Sequence, residues 1–348
     1  MIAGAGDFGE LTPAPKKYTD APTKLSRPGD LILCIRATIG DRNWSDIEYC
    51  LGRGVAGLRA KDAELSQGYL GHWLDHATPV LRTKGRGATF LQVSKRDIAS
   101  LQIPLPPLSE QERIAGILDA ADALRAKRRE SLAQLDTLLQ STFLEIFGDP
   151  LANPMEWEKR RIDSVFRVAR GGSPRPIQSY LTESDDGLNW IMIGDASPDS
   201  RYITSTKKRI KPGGLSKSRM VYEGDFLLTN SMSFGKPYIL KTDGCIHDGW
   251  LVLSPKDKRM PADFFYSLLS TDALYREFSK KAAGAVVKNL NTKLVSQVAI
   301  PVPPLALQNR FATIVESVEQ QKTRQRAHLA ELDTLFASLQ SSAFRGDL

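Results

Sequence analysis

One long stretch occurs twice in this chain, and its repetition limits the fold more than any other feature. Residues 104–150 read PLPPLSEQERIAGILDAADALRAKRRESLAQLDTLLQSTFLEIFGDP, and residues 301–348 read PVPPLALQNRFATIVESVEQQKTRQRAHLAELDTLFASLQSSAFRGDL. Pro104, Pro106, Pro107, Leu108, Gln111, Arg113, Ala115 and Ile117 return as Pro301, Pro303, Pro304, Leu305, Gln308, Arg310, Ala312 and Ile314, a shift of 197 positions (301 − 104). The same shift carries Leu135-Asp136-Thr137-Leu138 onto Leu332-Asp333-Thr334-Leu335. A self-match this long at so large a period indicates a duplicated unit, not a short solenoid repeat.

Each copy reads as a long helix. Pro107 cannot sit inside a helix, and Ser109 with Glu112 three residues later predicts a capping box. Apolar residues then recur three and four apart: Ile114, Leu118, Ala121 and Leu124, and after Arg128 Leu132, Leu135 and Leu139. The second copy shows Phe311, Ile314 and Val318, a polar stretch at Gln321 and Gln325, then Leu329, Leu332, Phe336 and Leu339. This narrow stripe is close to the coiled-coil repeat. About 35 helical residues make a rod of roughly 50 Å. The stripe needs a partner, and the other copy supplies one, so the rods are expected to pair antiparallel as a spacer.

At 348 residues the chain suits two or three domains, and its 41% hydrophobic and 25% charged content is that of a soluble globular protein. No apolar run approaches a membrane span and no signal-peptide pattern opens the chain, so a cytoplasmic protein without a membrane partner is expected. Cys34, Cys50 and Cys245 lack paired spacing, and His72, His76, His247 and His328 form no ligand cluster; neither a disulfide framework nor a metal site is expected. Cys245 and His247 could form a nucleophile pair, but residues two apart on one strand point the same way, which favours packing. The net charge of +7 suggests a polyanionic partner.

The duplication extends upstream of the rods. Gly29-Asp30-Leu31-Ile32-Leu33 matches Gly224-Asp225-Phe226-Leu227-Leu228 at a shift of 195 (224 − 29), with Gly40 on Gly235, Gly54 on Gly249 and Leu58 on Leu253. Gly87-Ala88 then falls on Gly284-Ala285 at 197. The expected architecture is α+β: two related mixed α/β domains, residues 1–103 and 151–300, each followed by a long helix, residues 104–150 and 301–348. Asp30–Ile35 and Asp225–Thr229 read as buried strands, with Gly54–Leu58 and Gly249–Ser254 as partners. Helices are expected to open at Tyr69–Leu74 and at Phe264–Leu269, the latter continuing through Tyr275 and Phe278. Only 28 residues precede Gly29, and nothing in them corresponds to about 151–195, so the first domain is expected to be shortened at its N-terminus.

These residues resemble a known family. IPLPPLSEQERIAGILDAAD and its echo IPVPPLALQNRFA look like the conserved segments of specificity subunits of type I restriction–modification enzymes. Trp157…Arg170-Gly171-Gly172-Ser173-Pro174…Trp190-Ile191 is similar to the opening of that family's target-recognition domains. The resemblance covers essentially the whole chain. It implies that two target-recognition domains each read half of a bipartite DNA sequence, while the paired helices set the distance between halves. It also implies binding to two methyltransferase subunits, which hold S-adenosylmethionine, with ATP-dependent restriction subunits as a further partner class; this chain itself would hold no cofactor. Ala306-Leu307 in place of Ser109-Glu110 departs from the pattern and removes one expected capping box.

Residues suited to DNA lie in the expected loops. The first domain offers Arg36, Thr38, Arg53, Lys84, Arg86, Gln92 and Ser94; the second offers Arg170, Ser173, Arg175, Asn230, Ser231, Ser233, Lys236, Lys288, Asn289 and Asn291. Arg and Lys hold phosphates or read guanine, whereas Asn and Gln read adenine through two bonds. Two other functions compete with this one. An adenine methyltransferase should carry an Asn-Pro-Pro-aromatic motif, and Asn153-Pro154-Met155 lacks the second proline; Gly235-Lys236-Pro237 is no phosphate loop. A coiled-coil scaffold or regulator that binds protein only fits the rods, but not the basic balance or the paired domains. The shortened first domain is expected to give mainly phosphate contacts, and the second most of the discrimination.

Overall fold

The computed structural model describes residues 1–61, 64–197, 200–230, 234–282 and 290–348. The chain forms two compact units, one of residues 1–131 with 325–348 and the other of residues 132–324. Helices α3 (Leu108–Phe147) and α8 (Leu305–Arg345) each contribute to both.

In the first unit, β1 (Leu31–Cys34), β2 (Arg42–Trp44) and β3 (Val55–Leu58) form an antiparallel sheet in the order β2-β1-β3. Strand β1 is apolar throughout because both its faces are covered. Leu31 and Leu33 face α1 (Gln67–Thr83), whereas Ile32 packs with Ile2, Tyr49, Leu51 and Val55. Two helix N-termini are fixed by serines: the Ser66 hydroxyl accepts the Tyr69 N–H of α1, and Ser94 forms a capping box with Asp97 of α2 (Lys95–Ala99). Ile114 and Leu118 of α3, with Ala343 and Phe344 of α8, complete this core against Tyr69, Trp73 and Leu74.

The second unit is larger. β4 (Lys159–Arg161) pairs with β15 (Ala299–Pro301), and the short α4 (Ile162–Val165) leads into the main sheet. That sheet has the order β5-β14-β11-β12-β8, from β5 (Phe166–Arg170), β8 (Tyr202–Ile203), β11 (Phe226–Thr229), β12 (Pro237–Leu240) and β14 (Trp250–Pro255). A second sheet runs β10-β13-β7-β9-β6, from β6 (Leu181–Thr182), β7 (Leu188–Ile191), β9 (Lys208–Ile210), β10 (Arg219–Val221) and β13 (Gly244–Ile246). Helices α5 (Ala262–Leu269), α6 (Asp272–Ala282) and α7 (Thr292–Ser296) follow.

The duplication read in the sequence is a duplication of structure. Strands β1, β2 and β3 correspond to β11, β12 and β14, α1 starts 195 residues before α5 (262 − 67), and α2 starts 197 before α7 (292 − 95). Aromatic packing repeats with it. Phe344 lies 5.3 Å from Tyr69 in the first unit, and its counterpart Phe147 lies 4.9 Å from Phe264, the counterpart of Tyr69, in the second. The first unit has no counterpart of β5 or of the second sheet among the described residues.

Within each unit the helix pieces run antiparallel. In the first, Ile114 and Leu118 share a core with Ala343 and Phe344, while Arg125 Nε donates to Asp333 at 2.6 Å. In the second, Phe143 lies 5.5 Å from Phe311 and Lys322 donates to Asp136 at 2.6 Å. These ion pairs are themselves counterparts: Arg125 also bonds Asp122, and Lys322 also bonds Glu319. Arg128 donates to Gln325, its own counterpart, at 3.1 Å.

The apolar stripe is therefore interrupted. Ile114, Leu118, Leu139 and Phe311 are buried; Ala121, Leu132, Leu135, Ile314, Val318, Leu329, Leu332, Phe336 and Leu339 are half-buried; Leu124, placed in the stripe by its spacing, is 55% exposed. The helix expected to continue through Tyr275 and Phe278 breaks at Ser270-Thr271, where the ladder tightens and the Thr271 N–H bonds the Leu268 carbonyl, three residues back, at 3.2 Å.

The capping box at Ser109 is not formed. Helix α3 begins at Leu108, which puts Ser109 inside the first turn, and α8 begins at the matching Leu305, so the Ala306-Leu307 change removes no cap. A buried glutamine holds each start instead. Gln111 donates to the Pro106 and Glu64 carbonyls at 2.8 and 2.7 Å and accepts the Ser66 N–H at 2.9 Å. Its counterpart Gln308 donates to Pro303 at 2.7 Å, but its Oε1 has no partner among the described residues. The position matching Ser66 is Pro261, which has no N–H to give. An unmet buried acceptor costs about 1–3 kcal/mol. Gln111→Leu is therefore expected to lower the denaturation midpoint, and Gln308→Leu to leave it unchanged or raise it. Equal losses in calorimetry would contradict this account.

Candidate nucleic-acid interface

In the second unit, four of the sequence-selected residues converge on Asp248, which the sequence reading passed over. The Ser173 hydroxyl donates to its carboxylate at 2.7 Å, and Arg175 stands 3.6 Å from the other carboxylate oxygen. The Asp248 carbonyl accepts Arg170 Nε at 3.1 Å and Asn230 Nδ2 at 2.6 Å. Local sequence makes the convergence possible. At Gly171 the chain leaves β5 so close to His247 that a Cβ would overlap the His247 carbonyl oxygen. Only glycine allows that approach.

The Ser173 hydroxyl, with the nearby His247 and Arg175, holds the Asp248 carboxyl below the usual carboxylate range. Burial depresses His247. The Gly249 N–H points at Nδ1 at 2.8 Å and the Ile193 N–H at Nε2 at 3.2 Å; a neutral ring accepts one of these bonds and a doubly protonated ring neither. His247 lies between Trp190 and Trp250, at 6.2 and 6.3 Å, and Cys245 is fully buried on β13, so both side chains are packed. Beside this hub opens a cleft of about 960 Å³, with Pro174, Ile177, Trp190 and Met192 in its walls and Arg175 and Lys208 among its polar residues. Further cations adjoin: Arg219 Nε donates to the Arg170 carbonyl at 2.8 Å, and Lys217 donates to the Tyr180 hydroxyl at 2.8 Å. The cation-rich run from Lys207 to Lys211 was the legible signal for this surface.

The remaining candidates in this unit go elsewhere. Lys236 lies over the Tyr238 ring at 5.5 Å. The Asn291 side chain caps α7 by accepting the Leu294 N–H, as its counterpart Ser94 caps α2. Ser231, Ser233, Lys288 and Asn289 lie outside the described residues.

In the first unit, Arg36, Arg86 and Gln92 meet on two adjoining backbone bridges, with the Thr38 N–H bonded to the Arg36 carbonyl at 2.9 Å. Lys84 ends α1 just before this loop. Arg53 sits beside Gly54, whose carbonyl accepts the Ile35 N–H at 2.9 Å.

Two related domains that place guanidinium, amide and hydroxyl groups on glycine-shaped loops match the comparisons with known proteins. The sequence profile of the type I restriction modification DNA specificity domain fits residues 16–135 and 154–333. The chain belongs to this family. The EcoBI specificity subunit of Escherichia coli is 21% identical over 354 residues, spanning 92% of this chain and 74% of that protein. A protein of Methanocaldococcus jannaschii assigned to the MjaX type I restriction enzyme as its specificity subunit is 34% identical over 136 residues; the match spans 39% of this chain and 32% of that relative's length. In fold, a chain solved in a study of type I R-M complex assembly superposes with a TM-score of 0.63 at 23% identity, covering 99% of this chain and 91% of that one. The type I S subunit of M. genitalium gives 0.53 at 18% identity, covering 94% and 86%. Among the described residues of this specificity-domain chain, no His, Cys, Asp and Glu cluster could hold a metal ion, and no helix is long and apolar enough to cross a membrane.

The depressed Asp248 carboxyl makes a pH prediction. Because its folded pKa lies below the unfolded value of about 3.9, its contribution to stability is full above that value and is lost as pH falls through the lower folded pKa. The stability gap between the natural chain and Asp248→Asn should therefore close on acidification, as pH falls through the unfolded value of about 3.9 and then the lower folded one. Urea titrations at several pH values check this, and a gap that widens in acid would contradict it.

Proposed function

We propose that this chain is the non-catalytic DNA-sequence-recognition subunit of a type I restriction–modification complex, reading a two-part target in double-stranded DNA. The observation that carries this reading is the convergence on Asp248 of Arg170, Ser173, Arg175 and Asn230 within a duplicated specificity fold. The guanidinium groups of Arg170 and Arg175 are held by the Asp248 carbonyl and carboxylate, and the buried Asn230 amide fixes that carbonyl from within; such pre-orientation is what base reading requires. In this reading α3 and α8 form the spacer between the two recognition units. The complex adds two methyltransferase subunits that hold S-adenosylmethionine, with ATP-dependent restriction subunits as further partners, and it works in the cytoplasm.

The two units are proposed to contribute unequally. The second carries a further five-stranded sheet, and with it the Asp248 hub; the first presents Arg36, Arg53, Lys84 and Arg86 with no such sheet among the described residues. Arg175→Ala should relax discrimination at one half-site by about 1–3 kcal/mol, whereas Arg86→Ala should weaken binding evenly across sequences and reduce the salt slope by about one. Binding-site selection with the assembled methyltransferase complex separates the two effects. Two equally sharp half-sites, with Arg175→Ala altering neither, would contradict the assignment.

Methyl transfer is expected from the assembly and not from this chain alone. Purified chain with methyl donor and duplex DNA should leave adenine unmodified until methyltransferase subunits are added. Methylation by the single chain would overturn the subunit reading.

A further inference from the structure

The loop between α1 and α2 carries two exposed apolar side chains among cations. Phe90 and Leu91 are 55% and 48% exposed. Their backbone is nonetheless fixed: Arg86 and Gln92 exchange two N–H bonds of 3.0 and 2.9 Å, and the Leu91 carbonyl accepts the Ala37 N–H at 2.9 Å. Gly87 turns the tip with φ +139°, where any Cβ would overlap the Phe90 carbonyl oxygen. The Arg36 guanidinium sits 5.7 Å from the centre of the Phe90 ring, and Arg86, with its side chain 81% exposed, stands at the base of the same loop. The carboxylate at that base, Asp97, is engaged through one oxygen by the Ser94 N–H and hydroxyl at 2.8 and 2.6 Å and through the other by Arg86 at 3.4 Å, a contact that leaves the guanidinium open to solvent.

A single exposed phenylalanine needs no explanation. A ring and a leucine projected together from a pinned turn, flanked by guanidinium groups, fit a narrower class of partner. That partner must be anionic outside and apolar within, on the scale of one side chain. A base step of duplex DNA, phosphates outside and stacked rings within, has this character, and apolar wedges use it.

Building on the DNA-recognition reading above, we propose that Phe90, backed by Leu91, inserts between neighbouring base pairs of the half-site bound by the first unit, while Arg36 and Arg86 hold the flanking phosphates. The sequence position matching Phe90 in the second copy is Val287, so the wedge belongs to one half-site only.

The test uses the full chain with its methyltransferase subunits and duplexes in which 2-aminopurine replaces one base at a time through both half-sites. The expected result is a fluorescence rise at one step of the half-site read by the first unit. Phe90→Ala should abolish that rise and weaken binding roughly 5- to 150-fold, the range of a base–aromatic stack. Phe90→Trp should keep the rise, with the new indole quenched on binding. Because the ring is exposed, neither substitution touches the core, and unchanged circular dichroism checks this. Specific binding with no unstacked step, or a rise that survives Phe90→Ala, overturns the wedge alone. Loss of methyltransferase assembly in Phe90→Ala with the rise intact assigns the ring to a protein partner and also overturns it. Failure of the natural chain to select any duplex overturns the DNA reading beneath it.

Discussion

The packing of one helix end onto the opposite recognition core is the contact on which both units depend. Phe344 closes the first unit against Tyr69 and His76, although it lies at the far end of the chain. Phe147 does the same for the second against Phe264 and Phe311. Each ring is at least nine-tenths buried, and removing such a ring from a packed core costs about 3–5 kcal/mol. Neither core is complete without helix residues from outside its own contiguous domain sequence. The first unit in particular takes residues 325–348 from beyond the whole of the second. Closing so long a loop adds entropy only slowly with length, so a small, well-packed aromatic contact can offset it.

The middle of the helices works differently. Lys322 is 5% exposed and held by Asp136 and Glu319; Arg125 makes the matching pair of bonds to Asp333 and Asp122 and also stacks on Phe336 at 4.3 Å. Buried ion pairs add little net stability, because desolvation opposes the attraction. Breaking one is costly, about 3–5 kcal/mol, since it strands a charge. A slip of either helix by one turn would move Lys322 away from Asp136 and leave the buried ammonium with only Glu319 of its own helix. The charged layers thus fix register, while the apolar ends supply stability. The same division explains why the leucine stripe fades between Leu124 and Leu132 instead of running unbroken.

How much of this was legible in the sequence follows from the range of each interaction. Strand β1 could be read from Leu31-Ile32-Leu33 because a run covered on both faces is apolar locally. The duplication was legible because it needs only self-comparison. Ser109 misled because the capping pattern is a local preference, and the tertiary contacts of Gln111 with Glu64 and Ser66 fixed the helix start at Leu108, two residues before the Glu110 that an N-cap at Ser109 would give. The break after Leu269 was missed because Ser270 and Thr271 are neither glycine nor proline, and the turn rests on backbone bonds. Asp248 could not be selected from sequence at all. Its importance comes from Arg170, Ser173, Arg175 and Asn230 arriving from other strands, and nothing near position 248 encodes their arrival.

Divergence between the two copies then has a physical order. What repeats is what packs: the three-stranded core, the helix that follows it, the buried glutamine, the paired charges of the long helices. What differs is what faces outward from the same scaffold. The second copy inserts a sheet whose edge brings a carboxylate under two arginines. The first keeps a short loop and puts an aromatic ring where the second has valine. A scaffold whose stability resides in α3, α8 and the shared sheet leaves outward side chains such as Phe90 and Arg175 free to change without loss of fold. Two unlike surfaces on two like cores are therefore what a duplicated chain reaches when its packing residues are held and its outward residues are not.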